Sequence, residues 1–148
     1  MAHDERGISL VEMMVVVAVM AILAGIAFPA LGSMVAGNDL NTAQENIIET
    51  LKKARGMAVS HSTIATVRIN SAAHTVQLSV ADNSLPTETL TLRTDVAIAA
   101  DAVLNFSAQG TVSNASGGSS IALSSPGYAS LPQRVINVSP TGIVGASR

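Results

Sequence analysis

The chain has 148 residues and a formal net charge of −2, enough for one modest domain with an appendage but not for two full domains. It has no cysteine, which excludes disulfides, thiolate nucleophiles and cysteine-based metal sites, and its charge gives no general attraction to nucleic acid or anionic lipid. Aromatic residues make up only 2% of the chain, so the core must be aliphatic, which suits a thin sheet packed on a helix better than a deep-pocketed enzyme.

The first predicted element is an apolar helix that follows a short charged leader. The run Met13–Leu31 contains 19 residues and no charge. As a helix it would reach about 28 Å, which matches a bilayer core of about 30 Å and predicts a membrane span. Three other interpretations stay open: a cleaved secretory signal peptide, an uncut anchor for a domain of any function, and a buried helix of a soluble protein.

Glu12 lies at the start of this apolar run, and none of the other interpretations explains it. A carboxylate costs about 2.5–3.5 kcal/mol at the centre of a bilayer and less near its surface, so a positively charged partner is expected. The apolar run itself contains no base, and the nearest one on the segment is Arg6. The sequence therefore predicts a partner on another chain.

The residues Gly7-Ile-Ser-Leu-Val-Glu12-Met resemble the prepilin signature that opens type IV pilins and type II secretion pseudopilins. The resemblance implies cleavage between Gly7 and Ile8 by the prepilin peptidase, a membrane aspartyl protease, and methylation of the new amino group of Ile8. It also implies that Glu12 is an assembly contact, which meets the new amino terminus of a neighbouring subunit. Pro29 falls where many pilins carry a helix-kinking proline. Ile8 replaces the usual phenylalanine, and the leader is poor in lysine and arginine.

A second helical pattern follows, in which apolar residues recur at steps of three and four. Its members are Leu40, Ala43, Ile47, Leu51, Ala54 and Ala58. We predict an amphipathic helix over about 38–60 that packs on a sheet. Asn38 or Asp39 is expected to cap its start, and the helix is expected to be continuous with the span except at Gly32–Gly37.

After residue 62 the apolar period changes to two, which predicts short strands. The alternating residues are Ala65 to Ile69, Val76 to Val80, Leu90 and Leu92, Val96 and Ile98, Leu104 and Phe106, Ile121 and Leu123, and Ile136 and Val138. We expect a hairpin around Asn70–Ala73, a loop at Asn114–Ser120 and a turn at Ser139–Gly142. The predicted fold is α+β, with a long N-terminal transmembrane and amphipathic helix packed on a C-terminal antiparallel β-sheet head.

The head resembles the GspH/FimT-type minor pilins and pseudopilins. The residues that carry this resemblance are Ala54-Arg55 with Ala58, the stretch Leu104-Asn-Phe-Ser-Ala-Gln-Gly110 and the stretch Ile136-Asn-Val-Ser-Pro-Thr-Gly142. It implies a prepilin leader at 1–7, a transmembrane and assembly helix at 8–31, and a periplasmic pilin head at 32–148 whose β-rich part covers about 63–148.

The resemblance implies a structural subunit and not an enzyme: a minor pilin or pseudopilin that primes, caps or joins a type IV pilus or a type II secretion pseudopilus. Its expected partners are other pilin or pseudopilin subunits, the prepilin peptidase and the inner-membrane assembly platform. Its expected location is the bacterial inner membrane, with the head in the periplasm, and then the fibre. No cofactor or metal is expected, because His3, His61 and His74 lack ligand spacing around them.

An alternative is a DNA-binding minor pilin for DNA uptake. Some members of the subfamily bind DNA through a Gly-Arg-x-Arg stretch near the C-terminus. The corresponding positions, Gly142–Gly145, read Gly-Ile-Val-Gly here, so both arginines are missing. Because phosphate contacts supply most sequence-independent affinity, DNA binding is not expected. The basic cluster Lys52–Arg55 is expected to be a solvated helix edge.

Overall fold

The computed structural model describes residues 10–82, 85–116 and 120–147. Within these ranges the chain forms one helix and then nine strands: α1 (Leu10–Ser60), β1 (Ala65–Asn70), β2 (Thr75–Val80), β3 (Glu88–Thr91), β4 (Ala97–Ile98), β5 (Ala102–Phe106), β6 (Val112–Ser116), β7 (Ser120–Ser124), β8 (Arg134–Val138) and β9 (Val144–Ser147). The chain divides into two compact units, and the boundary between them lies between Val35 and Ala36.

The part of α1 that belongs to the second unit has one buried face. The buried positions follow the predicted steps of three and four, and the stripe begins one turn earlier than expected: Ala36, Leu40, Ala43, Ile47, Leu51, Ala54 and Ala58. Four of these seven residues are alanines, whose small side chains allow the helix to approach the sheets closely. The sequence pattern and the buried face therefore agree.

The predicted interruption at Gly32–Gly37 is wrong, because these residues lie inside α1. A glycine costs only about 1 kcal/mol in a helix interior, which helical neighbours on both sides offset. The predicted caps are wrong for the same reason. The carboxylate of Asp39 instead lies 3.5 Å from Nε of Arg93, in the loop before β4.

The end of α1 is set by backbone hydrogen bonds that reach back into its last turn. The amide of Thr63 donates to the Ala58 carbonyl at 3.1 Å and that of Ser62 to the Val59 carbonyl at 3.3 Å. Ser62 has a φ of 51°. This is a Schellman arrangement with serine at the left-handed position, where glycine is more usual. It reverses the chain directly into β1.

The first sheet has five strands in the order β3-β2-β1-β5-β6, all paired antiparallel. The predicted hairpin around Asn70–Ala73 is confirmed by the pairing of β1 with β2, in which Ile69 faces Val76. The second sheet has four strands in the order β4-β7-β8-β9, also antiparallel. Side chains from α1 and from both sheets form one buried cluster around the fully buried Phe106.

Two strand predictions need correction. The predicted loop Asn114–Ser120 is wrong at both ends, since Asn114–Ser116 complete β6 and Ser120 begins β7. Backbone pairing with β5, in which Ala115 faces Leu104, outweighs the loop-like composition. The strand expected at Leu90 and Leu92 ends at Thr91, although Leu92 is buried and its amide donates to the His74 carbonyl at 2.8 Å.

Candidate functional site

The apolar part of α1 is the first feature with functional meaning. Its most apolar 18-residue window contains no buried residue, and by length and composition the helix can cross a membrane. The exposed side chains include Leu10, Val17, Ile22 and Phe28. So many exposed aliphatic side chains in a row must be shielded from water, either by lipid or by other protein chains.

Its exposure argues against one of the open interpretations. The core helix of a soluble protein is mostly buried, whereas this window is not. A secretory signal peptide and an uncut anchor can share this length and composition, so both of these interpretations stay open on the helix alone.

Glu12 lies close to the start of the described part of α1, and its side chain is exposed. Gly7 and Ile8 lie outside the described residues. Cleavage between them, methylation of Ile8 and the role of Glu12 in assembly therefore stay predictions.

Pro29 is located within α1, which continues on both sides of it. Proline has no amide hydrogen, so the helical hydrogen bond to the carbonyl four residues earlier, that of Gly25, is missing. The hydroxyl of Ser33 donates to the Ala30 carbonyl at 2.9 Å one turn later. A kink at Pro29 stays a prediction.

A second feature lies in the head, where two hairpin turns of the same construction meet. In the first, which joins β5 to β6, the amide of Gly110 donates to the Ser107 carbonyl and the amide of Ser107 to the Thr111 carbonyl, both at 2.8 Å. In the second, which joins β8 to β9, Gly142 donates to Ser139 and Ser139 to Ile143, again at 2.8 Å.

Both turns need their glycine. Gly110 and Gly142 each have a φ of 75°, a left-handed conformation that other residues adopt only with strain. A Cβ on Gly142 would lie 2.0 Å from the carbonyl oxygen of Gly110. The second turn therefore packs its glycine directly against the backbone of the first.

Arg55 of α1 connects the helix to this pair of turns. Its Nε donates to the Gly110 carbonyl at 3.0 Å and lies 3.1 Å from where a Cβ on Gly142 would be. We call Arg55 and the turns Ser107–Thr111 and Ser139–Ile143 the turn joint. Sequence reasoning singled out these three stretches separately without bringing them together. The repeated pattern Ser-x-x-Gly after a strand was the available signal.

Several charged side chains of the head have a partner on another element or in the same loop. Lys53 pairs with Glu88 of β3, Arg93 with Asp39 and Asp95, and Nε of Arg134 donates to Asn41 at 2.9 Å. At the tail positions compared with a DNA-binding stretch, Ile143 is 62% exposed and β9 carries no base. This surface offers phosphate groups little positive charge.

The described part of the chain contains no group of three or more His, Cys, Asp or Glu side chains that could hold a metal ion. Nδ1 of His74 donates to the Val96 carbonyl at 2.9 Å, so this imidazole has a structural hydrogen bond. A groove of about 220 Å³ between α1 and β3 is lined by both partners of the Lys53–Glu88 pair. Because the two oppositely charged side chains that line this groove pair with each other, we interpret the groove as packing of the sheet edge on the helix.

Comparison with known proteins places these features in context. Residues 3–28 match the family described as "Prokaryotic N-terminal methylation motif". The match includes Gly7, Ile8 and Glu12 and extends into the exposed apolar part of α1. No curated protein sequence matches the chain.

Solved structures with a similar fold include the type IV minor pilin FimU of Pseudomonas aeruginosa, at 19% identity and a TM-score of 0.59, covering 75% of this chain and 90% of FimU. The minor pseudopilin EpsH from the type 2 secretion system of Vibrio cholerae is similar at 13% identity and a TM-score of 0.58, covering 74% of this chain and 96% of EpsH. At these identities the likeness shows the fold.

Proposed function

We propose that this chain, which is type IV pilin-like in its N-terminal methylation motif and in its fold, is a minor pilin or a pseudopilin. In this role it is a structural subunit that joins, primes or caps a type IV pilus or a type II secretion pseudopilus. One observation carries the proposal. The methylation motif at residues 3–28 extends into an exposed apolar helix, and a later part of the same helix contributes to the core of the head.

The processing step follows from the motif. The prepilin peptidase removes residues 1–7 and exposes the amino group of Ile8, which is then methylated. The helix over 8–31 stays in the inner membrane, with the head over 32–148 in the periplasm. The assembly platform then transfers the helix from lipid to a bundle of other pilin or pseudopilin helices, where apolar contacts replace those with lipid.

The charge of Glu12 favours transfer of the helix from lipid to the bundle. In lipid an exposed carboxylate near the end of the helix is unfavourable, whereas in the bundle it meets the amino terminus of a neighbouring subunit. The gain is available only after cleavage, because Ile8 has no free amino group in the precursor. This order of events links processing to assembly.

The proposal is tested by following processing and fibre incorporation of Gly7→Val and Glu12→Ala in a host that assembles the fibre. We expect Gly7→Val to remain at precursor mass and to be absent from sheared fibres. We expect Glu12→Ala to be processed and to insert in the membrane, but to be depleted from fibres by about tenfold or more, as loss of a buried ion pair implies.

Two matched controls separate these effects from general damage. Gly56→Ala changes a glycine in the head part of α1, where an added Cβ meets nothing within 4 Å, and Glu45→Ala removes an exposed acid of the head. Both should be processed and incorporated as the unchanged chain is. Normal incorporation of Gly7→Val would refute the proposal.

A further inference from the structure

The head contains two separate β-sheets, and its structure must fix the orientation of one relative to the other. Among the described strands, none of the first sheet pairs with one of the second. Two separate sheets that share a core can shift or open independently unless something fixes their orientation. At the turn joint and at the adjoining Val112, backbone of the first sheet contacts backbone of the second.

The first link between the sheets is a backbone hydrogen bond. The amide of Val112, the first residue of β6, donates to the carbonyl of Pro140 in the second turn at 2.9 Å. The second link is steric. Gly142 fits against the Gly110 carbonyl only because it lacks a side chain, since a Cβ would be 2.0 Å from that oxygen.

The third link brings in the helix. The Gly110 carbonyl that Gly142 packs against also accepts the hydrogen bond from Nε of Arg55. Arg55 therefore holds a carbonyl of the first turn that the second turn also contacts. In the same region, Cγ2 of Val59 lies 3.1 Å from where a Cβ on Gly110 would be, so α1 closes over the first turn.

We propose that the turn joint is a mechanical coupling that holds both sheets in one orientation on α1, so that the two hairpin turns open together and not one at a time. Because Gly142 and Gly110 are in contact, displacement of the first turn removes the surface on which the second rests. The joint makes a head of two sheets behave as one cooperative unit, and this holds whether or not the chain enters a fibre.

Amide hydrogen exchange of the full ¹⁵N-labelled chain in detergent micelles tests the coupling. Gly110 and Gly142 both have hydrogen-bonded amides, so they report on the first and second turn respectively. Arg55→Gln removes the charged donor without adding bulk. We expect exchange to accelerate by about tenfold or more at both glycines, although Arg55 is bonded only to the first turn.

Two controls distinguish coupling from loss of any hydrogen bond or change of any glycine. Arg134→Gln removes another bond between a sheet and α1, outside the joint, and Gly145→Ala adds a Cβ with nothing within 4 Å on the same hairpin as Gly142. Neither should accelerate exchange at Gly110 or Gly142.

Gly142→Ala probes the joint from the other side. The added methyl group must push against the Gly110 carbonyl, so faster exchange is expected at Gly110 in the first turn. The proposal is overturned if Arg55→Gln accelerates exchange at Gly110 and leaves Gly142 unchanged, or if folded Gly142→Ala leaves Gly110 unchanged.

Discussion

At the scale of single residues, Asp101 shows how one surface carboxylate can secure a hairpin tip. It accepts hydrogen bonds from the Ser71 hydroxyl at 2.6 Å and from the Ser71 amide at 2.7 Å. These bonds, the hydroxyl first, lower the pKa of Asp101 below its ordinary value. They tie the turn between β1 and β2 to the loop that precedes β5.

The lowered pKa predicts an acid-sensitive contribution to stability. Because the carboxylate is favoured in the folded state, the contribution is complete above the ordinary aspartate pKa of 3.8 and is lost as the pH falls through the lower folded pKa. Asp101→Asn should therefore have a flatter acid limb than the unchanged chain when thermal unfolding is followed from neutral to acid pH. Ser71→Ala should flatten the same limb in part. An acid limb of unchanged slope in Asp101→Asn would contradict this assignment.

Single residues also mark the limit of sequence reasoning at the candidate site. Glu12 is conspicuous in the sequence, because a charge beside an uncharged run stands out without any structure. The contacts of Arg55 with Gly110 and Gly142 cannot be read from the sequence. They link positions 55 and 87 residues apart, which only the folded sheets bring together.

At the scale of elements, the helix and the central strands could be predicted from the spacing of apolar residues, because burial of one face produces that spacing in the sequence. The errors fall where backbone pairing or helix continuity overrides local composition. Asn114–Ser116 form an edge strand because β5 supplies hydrogen-bond partners. Gly32–Gly37 stay helical because the helix continues on both sides of them.

The close packing of α1 on the sheets predicts opposite effects for two neighbouring substitutions. Ala54 is fully buried, so Ala54→Leu should lower the free energy of unfolding by about 1–3 kcal/mol through overpacking. Gly56 is exposed and an added Cβ meets nothing within 4 Å, so Gly56→Ala should raise it by about 0.5–1 kcal/mol. Urea unfolding of the full chain in micelles, followed by circular dichroism, measures both. A neutral Ala54→Leu would mean that the helix does not approach the sheets as described.

At the scale of the whole molecule, charge is sparse and nearly balanced in total, while apolar exposure is concentrated in the first part of α1. The chain carries 8 lysine and arginine residues against 10 aspartate and glutamate residues. This distribution favours association through the helix over association with a polyanion. It fits a subunit of a helical bundle better than a DNA-uptake protein.

A gel shift with the full chain in micelles tests the DNA alternative. We expect no salt-sensitive binding of duplex DNA at micromolar protein, since Gly142–Gly145 carry no arginine. The double variant Ile143→Arg with Gly145→Arg serves as the positive comparison, because the first position is exposed and the second has open space around an added Cβ. Salt-sensitive binding by the unchanged chain would revive the alternative.

The central claim, that the chain enters a polymer only after losing its leader, is tested most directly by the mass of its N-terminal peptide when purified from the membranes of its native host. We expect a chain that begins at Ile8 and carries a methyl group on its amino nitrogen. A chain that still begins with residues 1–7 would contradict it.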